Sequence, residues 1–270
     1  MNRYLVNGAV GSALLLAASG ASADEIIDLF DEPAGSDQTV IADSDNLTDF
    51  DEDGPFGTVL GGYRDLFVQY FGEDSATDRS VMTVENGTLS FSNDDGVTGY
   101  AEVTWDGQDN SSDVALDNFV FDLTGGGTAD SFLIETLTSD LGWSFEIQAW
   151  TDATSFSTIN VDADEVDPEG APTFFNIPFA AFGNCGFLGG EGDPLNSVTC
   201  GDNPVDFTSL VALQARINVN EEGTPGQGTG SLDLSIGSAT AVPEPATIGL
   251  LGIGLLATAA GFRRRHTQSE

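Results

Sequence analysis

The sequence predicts an all-β protein, built around a single antiparallel β-sandwich or barrel. Short runs that alternate apolar and polar residues recur along the chain, and turn signals separate them at intervals of about 8–12 residues. No segment before Val242 has the apolar period that marks a helix. The alternating runs are rich in Phe, Trp, Ile and Val, so this acidic chain is expected to fold rather than remain disordered.

Local patterns justify the individual strands. Asn86-Gly87 lies between two alternating runs and predicts a two-residue hairpin, since both turn positions need positive φ. Val211–Val219 alternates best, with its odd-numbered residues predicted to face the core. Pro178 breaks an apolar segment, which predicts an edge strand or a corner. In chain order, the predicted strands are Glu25–Phe30, Arg64–Phe71, Ser80–Glu85, Thr88–Asn93, Tyr100–Trp105, Asn118–Leu123, Ser131–Thr138, Trp143–Thr151, Ser155–Val161, Phe174–Phe182, Val211–Val219 and Ser231–Ile236.

The stretches between these strands are predicted to be loops. Asp43–Gly57 is acidic and turn-rich, and Glu221–Gly230 is predicted to be a flexible hairpin loop. Neither an internal repeat nor a domain boundary is visible in the sequence. Residues 24–241 are therefore predicted to form one domain.

The charge balance excludes one class of partner. The chain has 7 Lys+Arg against 44 Asp+Glu, a formal net charge of -37 at pH 7, and it contains no lysine. Such a surface repels phosphate backbones, so nucleic-acid binding is not expected. It suits a medium in which salt or calcium screens the self-repulsion.

The two cysteines, Cys185 and Cys200, flank a Gly/Asn/Asp-rich stretch that is predicted to be an exposed loop. An isolated pair in an exported protein favours a disulfide, and closing a loop of this length stabilises by about 3 kcal/mol in the chain-entropy model. A two-cysteine metal site is the alternative. It lacks partners, because the only histidine is His266 near the C-terminus.

The chemistry available to residues 24–241 is narrow. Without histidine or lysine, the usual nucleophile–base pairs and histidine-ligated zinc are excluded there. Carboxylate-pair chemistry, as in glycosidases, stays open, although acidic residues are too abundant for one pair to be selected. The chain is predicted not to be an enzyme.

Calcium is the predicted cofactor, as a structural ion. Asp49, Asp51 and Asp53, followed by Gly54, match the first half of an EF-hand-type loop, in which alternate carboxylates converge on one hard cation. The twelfth position is Leu60 rather than a bidentate Glu, so the motif is incomplete. A solvated acidic loop is the alternative.

Two aromatic residues are candidates for a sugar-binding surface. Alternation places Trp150 on the face of its strand opposite Trp143, and Tyr63 follows a Gly-Gly turn. The alternative is that each covers a hydrophobic edge. Trp105 and Trp143 are predicted to lie in the core.

Both chain ends predict export. Arg3, the apolar run Val10–Ala18 and Ala21-Ser22-Ala23 form a signal peptide over residues 1–23, with cleavage expected after Ala23. At the other end, Pro243-Glu244-Pro245 precedes an apolar run, Ala246–Phe262, which is just long enough for a transmembrane helix. The arginines behind it, Arg263, Arg264 and Arg265, form a stop-transfer signal on the cytoplasmic side.

This arrangement of Pro243, Glu244, Pro245, helix and arginines over residues 242–270 resembles a PEP-CTERM sorting signal, the tag of substrates of exosortase-type membrane enzymes. The resemblance implies export, transient anchoring in the inner membrane, recognition at Pro-Glu-Pro, and transfer to the cell surface or extracellular matrix. Signal peptidase and an exosortase-type enzyme are then the processing partners. An ordinary tail anchor is the alternative.

The rest of the chain resembles, more loosely, the jelly rolls of carbohydrate-binding modules of the galactose-binding type. The resemblance lies in the order of strands, the turn Gly61–Asp65, the segment Phe174–Phe182 and the closing Leu-x-Leu-x-Ile strand. It implies a jelly-roll-like β-sandwich whose first and last strands pair, often with a structural calcium ion near one end. The predicted function is a non-catalytic surface module that binds carbohydrate or exopolysaccharide. The alternatives are a structural or adhesive protein without a small ligand, and a carboxylate-based glycan hydrolase.

Overall fold

The structure is a computed structural model that describes residues 24–243, apart from 32, 34–35, 73–76, 191–193 and 221–222. No helix in this part of the chain is long and apolar enough to cross a membrane. The predicted signal peptide, residues 1–23, and the predicted transmembrane helix, residues 246–262, lie outside the described residues.

The described residues form fourteen strands, β1 to β14, and three short 3-10 turns. The all-β prediction is confirmed. In chain order the strands are β1 Glu25–Asp28, β2 Gln38–Asp43, β3 Thr48–Asp53, β4 Arg64–Gln69, β5 Arg79–Glu85, β6 Thr88–Asn93, β7 Tyr100–Trp105, β8 Ser131–Ser139, β9 Trp143–Trp150, β10 Phe156–Ala163, β11 Thr173–Pro178, β12 Leu195–Cys200, β13 Ala212–Val219 and β14 Asp233–Val242; the 3-10 turns are Leu60–Gly62, Phe179–Gly183 and Phe207–Ser209.

The strands divide into two antiparallel sheets that pack as a jelly-roll-like sandwich. The first sheet has the order β11-β8-β14-β6-β5-β2, with β1 also paired to β14, and the second has the order β12-β10-β9-β13-β7-β4-β3. Glu25 of β1 lies opposite Ala241 of β14, so the first and last described strands pair. The sandwich prediction is therefore confirmed, and this pairing holds both ends of the described chain in one sheet.

The core lies between the two sheets and follows the predicted alternation. Trp105 and Trp143 are 3% and 4% exposed, as predicted for core residues. Leu213 and Ile217 of β13 face the same interior, in agreement with the predicted direction of their strand. The hairpin at Asn86-Gly87 is also confirmed, with φ values of 53° and 79°.

Two predicted loops contain strands. The stretch Asp43–Gly57 was predicted to be turn-rich, yet it contains β3, whose acidic residues hide the apolar alternation on which the prediction relied. Similarly, β12 lies in the stretch between the two cysteines. Conversely, Asn118–Leu123 forms no strand, because only an isolated bridge joins Phe121 to Leu210.

The predicted hairpin loop Glu221–Gly230 is a connection between the sheets. β13 pairs with β7 and β9 in the second sheet, whereas β14 pairs with strands of the first. Asn218, which has φ 63°, donates through Nδ2 to the carbonyl oxygens of Gly99 and Thr229 and so holds the start of this connection. Local alternation cannot distinguish this crossing from a hairpin, because both join two good strands.

Cys185 and Cys200 form the predicted disulfide, with Cα atoms 5.5 Å apart. Cys200 is the last residue of β12 and is half-buried against the core, so the pair does not lie in one exposed loop. The bridge ties this edge strand to the segment after the second 3-10 turn.

Candidate functional site

The outer face of the second sheet carries a row of polar side chains, which we call the polar row: Asn160, Glu146, Arg216 and Glu102. Strand register aligns them, because Asn160 lies opposite Glu146, Glu146 opposite Arg216, and Arg216 opposite Glu102. Residues two apart on a strand share a face, so the row sits on the side away from Leu213 and Ile217. It crosses four adjacent strands.

Arg216 is the centre of the polar row. Its Nε donates to Glu102 Oε1 at 3.0 Å and its Nη1 donates to Glu146 Oε1 at 3.1 Å. The Arg216 side chain is 28% exposed, so solvent and ligands reach it. Glu102 also accepts from the Tyr100 hydroxyl, and Glu146 accepts from Gln148 Nε2. The donors and acceptors of this face are thus held in fixed directions.

Electrostatics at the polar row reflect partial burial. Desolvation raises the pKa of Glu146, although the hydrogen bond from Gln148 and the charge of Arg216 oppose it. Desolvation likewise raises the pKa of Tyr100, and the charge of Glu102 adds to that effect. Tyr100 is therefore a neutral hydrogen-bond donor at physiological pH.

Two aromatic rings lie on this face beside the polar row. Trp150, half-buried, ends β9 on the outer face, between Phe156 of β10 and Ala212 of β13. The predicted face of Trp150 is therefore correct. Phe67 of β4 continues the row beyond Glu102, its cross-strand partner, and packs edge-on against Tyr100, with ring centroids 6.4 Å apart.

Tyr63, the other predicted aromatic, does not join Trp150. It precedes β4, and its ring lies against Gly54, where an added Cβ would be 2.7 Å from Tyr63 Cδ1. Two strands, β13 and β7, separate β9 from β4, which at about 4.8 Å per strand puts the strands roughly 14 Å apart. A ligand would have to span that distance to contact both rings.

Asp49, Asp51 and Asp53 lie in β3, an edge strand. Asp49 Oδ2 accepts from the Ile41 N–H at 2.8 Å, and Asp51 is within hydrogen-bond distance of Gln38. Alternate residues of a strand are about 6.6 Å apart, so the three carboxylates are spaced along the strand and the turn of an EF-hand-type loop is not formed. Calcium binding by these three residues stays a prediction.

Sequence reasoning missed a second acidic group, which lies on the opposite face of β3. It comprises Glu52, Asp65, Asp106 and Asp109, and we call it the acidic cluster. Glu52 and Asp65 are cross-strand partners, and Asp106 and Asp109 follow directly after β7. Oxygens of Glu52, Asp65 and Asp109 all lie within 4.8 Å of one another. Nothing in the sequence marks it, because only the register of β3, β4 and β7 brings the four residues together.

The sorting segment begins where the last strand ends. The carbonyl oxygen of Val242 accepts from the Asp130 N–H at 3.0 Å, and Pro243 follows at once, half-buried. Glu244, Pro245, Arg263, Arg264 and Arg265 lie outside the described residues. Folded structure therefore extends to the first residue of Pro-Glu-Pro.

Comparison with known proteins identifies this segment. Residues 241–265 match the family model described as the PEP-CTERM protein-sorting motif. Comparison with curated protein sequences gives no match. Among solved structures, one titled "Structure of PfGH50B" is similar at 12% identity and a TM-score of 0.39, over 66% of this chain and 22% of that one. The chain thus spans about a fifth of that solved chain.

The match confirms the predicted sorting motif. The motif is the signal for processing by an exosortase, so this is an exported protein that is anchored transiently at the membrane before processing.

Proposed function

We propose that this exosortase substrate is a non-catalytic surface protein whose β-sandwich binds polysaccharide through the polar row. The observation that carries the proposal is the combination of fixed hydrogen-bonding groups around Arg216 with two aromatic rings on the same face, Phe67 beyond Glu102 and Trp150 four residues along β9 from Glu146. Sugars present hydroxyl groups around apolar ring faces, so a site for them needs both kinds of contact. The processed protein is proposed to reside on the cell surface or in the extracellular matrix.

The net charge of the protein restricts the kind of polysaccharide that it can bind. With a formal net charge of -37, the protein repels polyanions. Within the polar row, Glu102 and Glu146 already use the charge of Arg216. An uncharged polysaccharide is therefore the proposed ligand.

Affinity electrophoresis of the full chain through gels with and without neutral polysaccharides tests the proposal. Trp150→Ala is expected to weaken retardation about tenfold or more, because a few large aromatic contacts carry most of the energy of such interfaces. Phe174→Ala is the matched control, since Phe174 is 54% exposed on β11 of the first sheet. Equal effects of the two variants, or no retardation of the wild type, would favour a structural or adhesive protein without a small ligand.

One observation favours a second candidate function, glycan hydrolysis. Two carboxylates, Glu102 and Glu146, bracket Arg216, and the pKa of Glu146 is raised by desolvation, as in a general acid. Sustained release of reducing ends by the wild type, lost in Glu146→Gln, would select this function. Binding without turnover supports the non-catalytic module.

Processing of the tail is proposed to occur after Val242, because the Val242 carbonyl is bound within the folded sheet. Replacing Pro243-Glu244-Pro245 by alanines is expected to leave full-length protein in the membrane. Mass spectrometry of the mature C-terminus checks this, and finding Arg263–Arg265 still attached to surface protein in a host with the enzyme would reduce the tail to a plain anchor.

A further inference from the structure

The acidic cluster contains buried carboxylate oxygens without partners. Asp65 and Asp106 are 2% and 0% exposed, and among the described residues no hydrogen-bond donor reaches Asp65 Oδ1, Asp65 Oδ2 or Asp106 Oδ1. A buried carboxylate costs several kcal/mol unless it is paired or bound to a metal. When they are ionised, these oxygens therefore require compensation that the described protein atoms do not supply.

The remaining oxygens of the cluster are held in place by the loop after β7. Glu52 Oε2 accepts from the N–H groups of Asp109 and Asn110 at 2.8 and 2.7 Å. Asp106 Oδ2 accepts from the Ala115 N–H at 2.6 Å. The backbone thus fixes one oxygen of each of these carboxylates.

The arginines of the described chain lie elsewhere. Arg64 is on the inner face with Asp28, Arg216 is in the polar row, and Arg79 starts β5 of the first sheet. Since the sequence contains no lysine, arginine is the only cationic side chain available to residues 24–243. A bound cation, or a proton shared within the cluster, is the remaining source of positive charge.

We propose that Glu52, Asp65, Asp106 and Asp109 bind one calcium ion. Calcium takes six to eight oxygen ligands at about 2.3–2.6 Å, so ligand oxygens on opposite sides of the ion lie about 5 Å apart. The oxygens of Glu52, Asp65 and Asp109 fall within that span at 4.8 Å or less. The ion would join β3, β4 and the loop after β7. The proposal of this site does not depend on the proposal that the polar row binds polysaccharide.

Electrostatics agree with the geometry. Desolvation, followed by the charge of Asp106, raises the pKa of Asp65, and desolvation also raises the pKa values of Asp106 and Asp109. A divalent cation would reverse these shifts and keep the carboxylates ionised.

Thermal unfolding of the full chain, stripped with a chelator and then titrated with calcium or magnesium chloride, tests the site. Calcium is expected to raise the unfolding temperature by about 5 °C or more, because an ion that binds only the folded state stabilises it. Isothermal titration calorimetry of the same samples is expected to give one calcium ion per chain at this site. Asp65→Asn is expected to abolish both effects.

Asp45→Asn, which removes the same charge from an exposed position, is the matched control and should keep the response. If Asp65→Asn does not fold, Glu52→Gln takes its place, because Glu52 is half-buried at the rim of the cluster. A wild type that does not respond to calcium would overturn the proposal and favour a proton shared by Asp65 and Asp106. A response retained in Asp65→Asn, or lost only in the Asp49/Asp51/Asp53→Asn triple variant, would also overturn it.

Discussion

Arg64 and Asp65 are consecutive residues of β4, both buried, and they face opposite sides of the second sheet. Arg64 points into the core, where its charge is compensated within the protein. Asp65 points outward into the acidic cluster, where the described protein atoms offer it no hydrogen bond. Two buried ionisable residues are therefore adjacent in one strand, and only Arg64 has an ion-pair partner among the described residues.

On the inner face, the ion pair is complete. Arg64 Nη1 donates to both oxygens of Asp28 at 2.9 Å, and its Nε donates to Gln38 Oε1 at 2.9 Å. Asp28 also accepts from Trp105 Nε1 at 2.9 Å and from the Phe30 N–H at 2.8 Å. A buried pair with every partner present specifies how β1, β4 and β7 meet, since any other packing would leave a charge unpaired.

The difference between Asp28 and Asp65 indicates where a cation could bind in a chain with so few cationic side chains. The buried carboxylate of Asp28 is paired with an arginine of the same chain, whereas the buried carboxylate of Asp65 has no hydrogen-bond partner among the described residues. Unpaired buried charge is therefore a more specific signal than acidity, which is found on most of this surface.

Breaking the inner pair is expected to have the largest effect. Arg64→Met leaves Asp28 buried without its cation and should lower the free energy of unfolding by about 3–5 kcal/mol. Urea unfolding measures it, with Arg79→Met as the control at an exposed arginine. A loss below about 1 kcal/mol would mean that the pair does not hold the sheets together.

Removing one donor from the same pair is expected to cost less. Trp105→Phe keeps an aromatic ring in the core and deletes the Nε1–H that binds Asp28. A hydrogen bond to a charged group contributes about 1.5–3 kcal/mol, so a loss in that range is expected, together with a small packing change. Urea unfolding of Trp143→Phe measures the packing change alone, since Trp143 Nε1 has no hydrogen-bond partner among the described residues. Equal losses in the free energy of unfolding for the two variants would show that the Trp105 hydrogen bond does not contribute to stability.

The outer cluster should respond to neutralisation with opposite signs in two conditions. In chelator at pH 7, desolvation and the charge of Asp106 raise the pKa of Asp65 to about 9, so folding has to protonate this carboxyl. Asp65→Asn removes that requirement and is expected to raise the unfolding temperature by about 2–4 °C, which corresponds to about 1 kcal/mol. In calcium, the same variant should be less stable than the wild type. Differential scanning calorimetry in both buffers checks the crossing, and a destabilised variant in both would mean that the wild-type carboxylate is compensated without an ion.

The smallest effect is expected at Glu146, which is paired but partly solvated. Its pKa is raised in the folded state, so folding takes up protons between pH 4.5, its ordinary value, and the raised value. Its contribution to the free energy of unfolding is therefore largest below pH 4.5 and falls as pH rises through that window. Glu146→Gln should remove this slope, whereas Glu85→Gln, an exposed control, should retain it in pH-dependent urea unfolding.

Apolar alternation made most of the strands predictable, although β2 was missed and Asn118–Leu123 forms no strand. Tyr100–Trp105 has the same bounds in prediction and structure, because Ala101, Val103 and Trp105 alternate with polar residues in the sequence. β3 was missed, since four of its six residues are acidic and its pairing with β4 supplies the strand. The face of Trp150 followed from local alternation, but its neighbours Phe156 and Ala212 depend on strand order.

The sequence by itself determined the all-β class and the sorting motif, because each depends on local patterns, and the disulfide pair, because the chain has only two cysteines. Only the tertiary structure decided that β13 and β14 belong to different sheets, that Arg64 pairs with Asp28, and that the polar row and the acidic cluster exist. These features depend on the order and register of strands distant in sequence. Shifting a strand by one residue would send its side chains to the other face, and no local pattern in so acidic a chain records which register is adopted.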